Sequence, residues 1–339
     1  MTKLTNMAVG LGLGSALSYG ADVLPGFERL QQHGQIALAN SSLFAESFFN
    51  RPATMFAVGW RSPDNIEETL DFLAPPVEVP RNFTYAEWVN AEQLLVDSEV
   101  QRVRQLAGEF KRVEYTSVKT AGTVDNKGLC VYIDLDQVVE KPGWELQYVG
   151  MLQDRLLRGE LKDAIALAST GATNTAKTWD ATAGKDPDKD VQTDLIAGAT
   201  SSGIRPNRVL YGDTAWDKRA LSHRSQTTAG GFASATLTEQ SLAGILGVER
   251  VKVSRERYQS GAAAKTEIVS NLVLEFLGMD TPTEFDPTNL RRFHTPTSSG
   301  GKWRVYIQQI SAKVVVITVE WNSTPKVVTT LGLRKLTIS

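Results

Sequence analysis

The sequence predicts an α+β chain organised around one long helix, and three stretches carry that reading. Trp144 to Thr170 is an unbroken amphipathic run, residues 186–285 mix helical and extended text as an α/β module does, and Lys313 to Trp321 is nearly continuous β-branched sequence. In the first stretch Leu146, Val149, Leu152, Leu156, Leu161, Ile165 and Ala168 recur at steps of mostly three to five. Asp154, Arg155, Arg158, Glu160, Lys162 and Asp163 take much of the other side, the pattern of an amphipathic helix. Pro142 and Gly143 precede it and Gly171 follows, as start and stop signals. Gly159 in its middle costs roughly 1 kcal/mol relative to Ala, so packing along the apolar stripe must offset it. About seven turns and about 40 Å of helix exceed what an ordinary core needs, so the helix reads as a spine.

The remaining elements follow in chain order. Residues 1–60 read as a weakly periodic N-terminal arm, yet it carries Phe27, Leu43, Phe44, Phe48, Phe49, Phe56 and Trp60. A disordered tail lacks such aromatics, so the arm is expected to bury them against its own core or a neighbouring subunit. Met7 to Leu17 has some likeness to a signal peptide, but Gly10, Gly12 and Gly14 break its apolar run and Lys3 is the only charge before it. A flexible arm is the reading kept. Residues 61–127 open with Pro63, Pro75, Pro76 and Pro80, continue as a charged helical pattern from Tyr85 to Phe110, and end as extended text from Glu114 to Val124. Asp125-Asn-Lys-Gly128 is expected to turn. Leu129, Val131, Ile133 and Leu135 alternate with Cys130, Tyr132 and Asp134, as in a half-buried strand.

In the α/β module Asp188 or Asp190 is expected to cap a helix running to Ser202, with Val191, Leu195, Ile196 and Ala199 inward and Gly203 as the stop. Arg208 to Tyr211 reads as a strand, and Asp213 as the cap of a helix with Trp216 and Leu221. Thr236-Leu-Thr-Glu239 has capping-box spacing ahead of Leu242, Ile245 and Leu246. Val251 to Ser254 and Asn271 to Leu277 read as strands. The C-terminal part is β: Trp303, Val305 and Ile307 alternate, Lys313 to Trp321 is a strand covered on both faces, and Val327 to Leu336 supplies another candidate.

Composition narrows the function. The chain has 339 residues, a net charge of -2 and no long basic run, which argues against strong sequence-independent nucleic-acid binding. One cysteine, Cys130, excludes an internal disulfide. His33, His223 and His294 are the only histidines and lie far apart, so a His/Cys zinc site is not expected. No apolar run is long enough to span a membrane.

The motifs that carry chemistry elsewhere are incomplete. Gly171-Ala-Thr-Asn-Thr-Ala-Lys177-Thr178 nearly spells a phosphate loop, but Ala176 stands at the second glycine and a helix precedes it. A polar loop is the plainer reading, and a nucleotide-binding enzyme using it is kept as a rival. Asp186-Pro-Asp188-Lys-Asp190 opens like a calcium loop, but Val191 stands where glycine is required and Ala197 where glutamate is. Helix capping accounts for these carboxylates. His223 and Asp213 show no further partner in sequence. Asn82-Phe-Thr84 and Asn322-Ser-Thr324 fit the glycosylation pattern by chance. The expectation is a non-enzyme with no catalytic residues, no cofactor and no metal.

The order of parts resembles the major capsid proteins of tailed bacteriophages, the Hong Kong 97-type fold. Trp88-Val-Asn, Val113-Glu-Tyr-Thr116, Lys127-Gly-Leu-Cys-Val-Tyr-Ile-Asp134 and the spine carry the likeness, followed by Trp179-Asp180 and Asp186-Pro-Asp188. A run from Gly203 through Pro206, Asn207 and Gly212 to Trp216 most resembles that family's apical domain. The likeness covers residues 60–339, and the order of the motifs carries it more than any one of them. It implies an arm (1–60), an extended loop region (61–127), a peripheral domain with the spine (128–185), an axial domain (186–285) and a peripheral β return (286–339). It further implies an icosahedral shell enclosing double-stranded DNA, built from hexamers and pentamers of this chain. Implied partners are a separate scaffolding protein, because the arm is too short to serve as one, a portal protein, a decoration protein, and packaged DNA held without sequence-specific contacts. No membrane is involved; assembly in the host cytoplasm and residence in the virion follow. A bacterial encapsulin-type nanocompartment shell has the same fold and is the nearest rival; an exported β-rich protein is a further one.

Overall fold

A computed structural model describes residues 48–87, 118–138, 141–182, 184–226, 228–261, 263–282, 286–297 and 301–339. Most of the expected arm, and the helical pattern read from residue 88 onward, lie outside the described residues.

The spine forms as the periodicity requires. Helix α3 spans Trp144–Gly171, buries Val149, Leu152, Leu157, Leu161, Ile165 and Ala168, and starts after Gly143 in the left-handed conformation. Gly171 is its last residue rather than its stop, since Ala172 leaves the helix and donates its N–H to Ala168. Glu160, placed by sequence on the polar side, is 1% exposed, because this side of the helix packs on the strands that carry Lys127 and Ser323. Its carboxylate is satisfied there by Lys127 and by the Ser323 hydroxyl at 2.7 Å.

Two short helices brace the spine: α1 (Arg51–Gly59) and α2 (Ile66–Leu73). α1 falls inside the segment read as weakly periodic arm. Its start signal is local: Asn50 accepts from the Ala53 N–H at 2.8 Å and proline occupies the first turn. Phe56 and Trp60 pack on the subunit's own core, and Phe49 bridges to Tyr306.

The first sheet takes β1 (Pro76–Glu78), β11 (Leu290–His294), β13 (Val314–Val327) and β12 (Trp303–Gln309) in that order, with β4 (Asn126–Asp134) on the other side of β13. β13 is the central strand, and its apolar run is buried on both faces as expected. Of the turn expected at Asp125–Gly128, Asn126 to Gly128 are strand instead. β13 is long enough to offer partners as far as Asn322, so Asn126 to Gly128 pair with it. Gly128 permits the approach, since a Cβ there would sit 3.0 Å from the Val319 carbonyl. β2 (Asn82–Glu87) and β3 (Val118–Thr123) pair only with each other, held by Phe83 against Phe293 at 4.4 Å between ring centroids. Tyr85 thus begins no helix; it lies in β2.

The second sheet runs β5 (Thr173–Lys177), β14 (Arg334–Ile338), β10 (Leu272–Phe276), β6 (Arg208–Gly212), β7 (Arg250–Ser254), and β8 (Arg257–Gln259) pairs with β9 (Lys265–Glu267) in a separate ribbon. Its two faces serve two cores. Leu210, Leu274 and Phe276 join the spine's core, whereas Val209, Tyr211, Val273 and Leu336 pack under α4 (Pro187–Ser202) and α7 (Glu239–Leu246). α5 (Asp213–Ser225) and α6 (Ala229–Ala235) complete the module. Residues 186–285 contain only β6, β7 and β10 of this sheet; β5 and β14 come from outside those bounds.

The caps differ from the sequence reading by a residue or two. Asp186 caps α4 through the Lys189 N–H at 3.1 Å, because Pro187 already fills the first turn and leaves Asp188 and Asp190 inside the helix. Gly212 precedes α5, and Asp213 is its first residue. Thr238, not Thr236, caps α7 by accepting from the Ser241 N–H. Gly203 ends α4 with φ +72, as expected. Ile196, read as inward, is 52% exposed, and Leu221 and Ile245 are 51% and 55% exposed.

Candidate functional site

The motif residues are placed in structural roles. Thr173–Lys177 is the edge strand β5, paired in parallel with β14, so its backbone N–H groups do not form a phosphate cradle. The Lys177 ammonium lies 2.8 Å from Asp190. The three carboxylates that open like a calcium loop diverge. Asp186 caps α4, Asp188 holds Arg219, and Asp190 accepts from Lys177 and the Trp179 indole at 3.0 Å. Among the described residues no group of three or more His, Cys, Asp or Glu side chains could hold a metal ion. His223 and His294 lie in separate elements, α5 and β11. Asp213 pairs with Arg257 at 3.0 Å and does not reach His223.

The charged residues that matter most are buried. Arg219, fully buried, makes a two-pronged pair with Asp188 at 2.6 and 2.8 Å, stacks on Trp216 and donates to the Ser234 carbonyl. His223 Nε2 lies 3.2 Å from the same carboxylate. Burial pushes the Asp188 carboxyl up, but the bonds from His223 and Arg219 more than offset it and leave its pKa lowered. This cluster locks α4, α5 and α6 together. Arg208 does the same between the module and α2: it donates to the Phe72 carbonyl at 3.0 Å and to Asp280 at 2.7 Å, over the Phe72 ring. Its stem runs so close to Gly278 that a Cβ there would come within 2.9 Å.

What the molecule offers outward is surface. Each of the four module helices exposes one large apolar side chain: Ile196 on α4, Leu221 on α5, Phe232 on α6 and Ile245 on α7, each more than half exposed. α1 adds Met55 and Val58 at 68% and 56%. A cleft of about 510 Å³ opens between α1 and the N-terminal part of α3, lined by Phe56, Trp60, Leu146, Met151 and Arg158. The β2–β3 ribbon is a two-stranded element with Val118 and Lys119 exposed. Isolated ribbons of this kind are marginally stable in water.

No family model matches the chain, and no curated protein matches it. Solved structures do. A phage-related protein from Bordetella bronchiseptica RB50 superposes with a TM-score of 0.61 at 16% identity, over 85% of this chain and 96% of that one. The capsid structure of the cyanophage P-SCSP1u gives 0.50 at 10% identity, over 83% and 89%. The structure of Gordonia phage Cozz gives 0.50 at 12% identity, over 83% and 89%. The chain therefore has the α+β architecture of these proteins, the Hong Kong 97-type fold: a spine helix with its sheet, a two-stranded extension and an α/β module.

Sequence reasoning missed the buried charges. Glu275 stands in the run Leu-Val-Leu-Glu-Phe, a carboxylate inside otherwise apolar strand text, and that signal was open to reading. Arg208, Arg219 and Glu160 gave none, because their partners lie 31 or more residues away.

Proposed function

We propose that this chain is the structural subunit of an icosahedral phage-type capsid, self-assembling into the shell that encloses double-stranded DNA. The observation that carries the reading is the fold shared with a solved cyanophage capsid over 83% of this chain. The surfaces support it. Apolar side chains spread over four helices and a ribbon paired only with itself suit many contacts between copies better than one concave site. The spine with the first sheet acts as the peripheral domain, and the module around α4 to α7 as the axial domain, grouped in hexamers and pentamers. A scaffolding protein, a portal, a decoration protein and non-specifically held DNA are the partners of such a shell; its place is the virion, after assembly in the host cytoplasm. The chain does no catalysis in this role.

In this reading residues 1–47, with Phe27, Leu43 and Phe44, serve assembly rather than the fold of the subunit. Sedimentation velocity on full-length protein, expressed with and without its scaffold, tests both statements. Wild type is expected to give discrete, very large particles. A chain lacking residues 2–47 keeps Asn50 and Phe49, so it is expected to fold but not to form regular particles. Wild type that stays monomeric under every condition contradicts the function; normal particles from the shortened chain contradict the role of the arm alone.

A further inference from the structure

The seam between α4 and the second sheet is closed over an incomplete set of charges. Glu275 on β10 is fully buried, and neither carboxylate oxygen has a hydrogen-bond partner among the described residues. Pairing register places it on the α4 side of the sheet, opposite Arg334 on β14 and Val209 on β6. Arg334 Nη2 donates to Asp194 on α4 at 2.6 Å, and Thr175 on β5 donates to the same oxygen at 2.9 Å. The other Asp194 oxygen and Arg334 Nε are buried without partners. α4 lies very close here: a Cβ on Gly198 would come within 2.9 Å of Arg334 Cδ. One guanidinium therefore serves two buried carboxyl groups and bonds only one of them.

An orphaned carboxylate in such a place is strongly disfavoured, whereas a neutral acid is tolerated. Burial, and after it the Asp194 charge, raise the Glu275 pKa well above the usual range, against a smaller lowering by Arg334. Among the described residues the other groups facing this layer are Tyr211 on β6, which feels the charges of Asp188 and Arg219, and the apolar Leu242, Ala243 and Leu246 of α7. None supplies a second cation to Glu275.

We propose that Asp194, Arg334 and Glu275 form a proton-held latch: the Glu275 proton keeps α4 closed on the sheet, and its loss releases α4 locally. The sign follows from linkage. Opening returns Glu275 to water and its ordinary value of 4.5, so opening releases one proton. The opening constant should then rise about tenfold per pH unit from that value up to the raised one in the closed seam. The latch is complete at low pH and is lost as pH rises through the closed-state value.

Hydrogen exchange of the full-length protein between pH 5 and 9, corrected for intrinsic rates, reads this directly. Amides of α4 are the probe, and those of β6, in the middle of the same sheet, are the reference. The latch predicts α4 opening that climbs about tenfold per pH unit over part of this range in wild type while β6 stays protected. Glu275→Gln carries no proton to lose and should give a flat α4 profile. Asp194→Asn frees Arg334 for an ionised Glu275 and should flatten it too. A flat wild-type profile, an unchanged slope in Glu275→Gln, or α4 and β6 opening together would overturn the proposal.

Discussion

At the scale of single residues, buried charge decides more than buried carbon. Asp188 is the clearest case, because its partner Arg219 is fully buried and pairs with no other carboxylate among the described residues. Asp188→Asn should destabilise the protein by about 3–5 kcal/mol, the usual consequence of stranding one half of a buried pair. Urea unfolding of wild type and variant measures it. The pH sign is opposite to that of Glu275. The lowered pKa of Asp188 means its contribution is present above the unfolded carboxylate value and is lost as pH falls through the folded one. The variant should therefore lose part of wild type's acid sensitivity; equal stability of the two proteins at neutral pH would refute this account of the cluster.

At the scale of elements, the spine shows what sequence can and cannot convey. Its existence and length are written in local periodicity, and so are β13 and the module helices α4, α5 and α7, whereas the seven residues of α6 escape that reading. The faces they bury are set by what arrives from elsewhere. Glu160 turns inward because Lys127 and Ser323 meet it there, and Ile196 turns outward because no described element covers that side of α4. Caps shift by a residue or two because Asp186 and Thr238 compete with neighbours of equal propensity, and Asp213 falls in the first turn behind Gly212. α1 escaped the reading because nine residues give too little period, although Asn50 and Pro52 mark its start. The glycines of the spine give a paired test. A Cβ added at Gly159 would meet nothing within 4 Å, so Gly159→Ala should stabilise by about 0.5–1 kcal/mol through helix propensity alone. Gly150 faces the Trp60 indole, where a Cβ would come within 2.8 Å of Nε1, and Gly150→Ala should destabilise by about 1–3 kcal/mol. Thermal unfolding of the two variants should move in opposite directions; a gain from both would mean that α1 yields to the spine.

At the scale of the whole molecule, two cores share one sheet, and this explains how a chain with long connections stays one unit. β5, which follows the spine, and β14, which follows the first sheet, complete the module's sheet, and Arg208 ties it to α2. Among the described residues, large apolar side chains stay exposed on several elements. That surplus is the physical basis of the proposed assembly. Cryo-electron microscopy of purified full-length protein tests it most directly. The proposal predicts closed icosahedral particles whose subunit density takes this fold, with the exposed residues of α4 to α7 and the β2–β3 ribbon buried between copies. Particles in which these surfaces face solvent, or no closed particle under any condition, would contradict it.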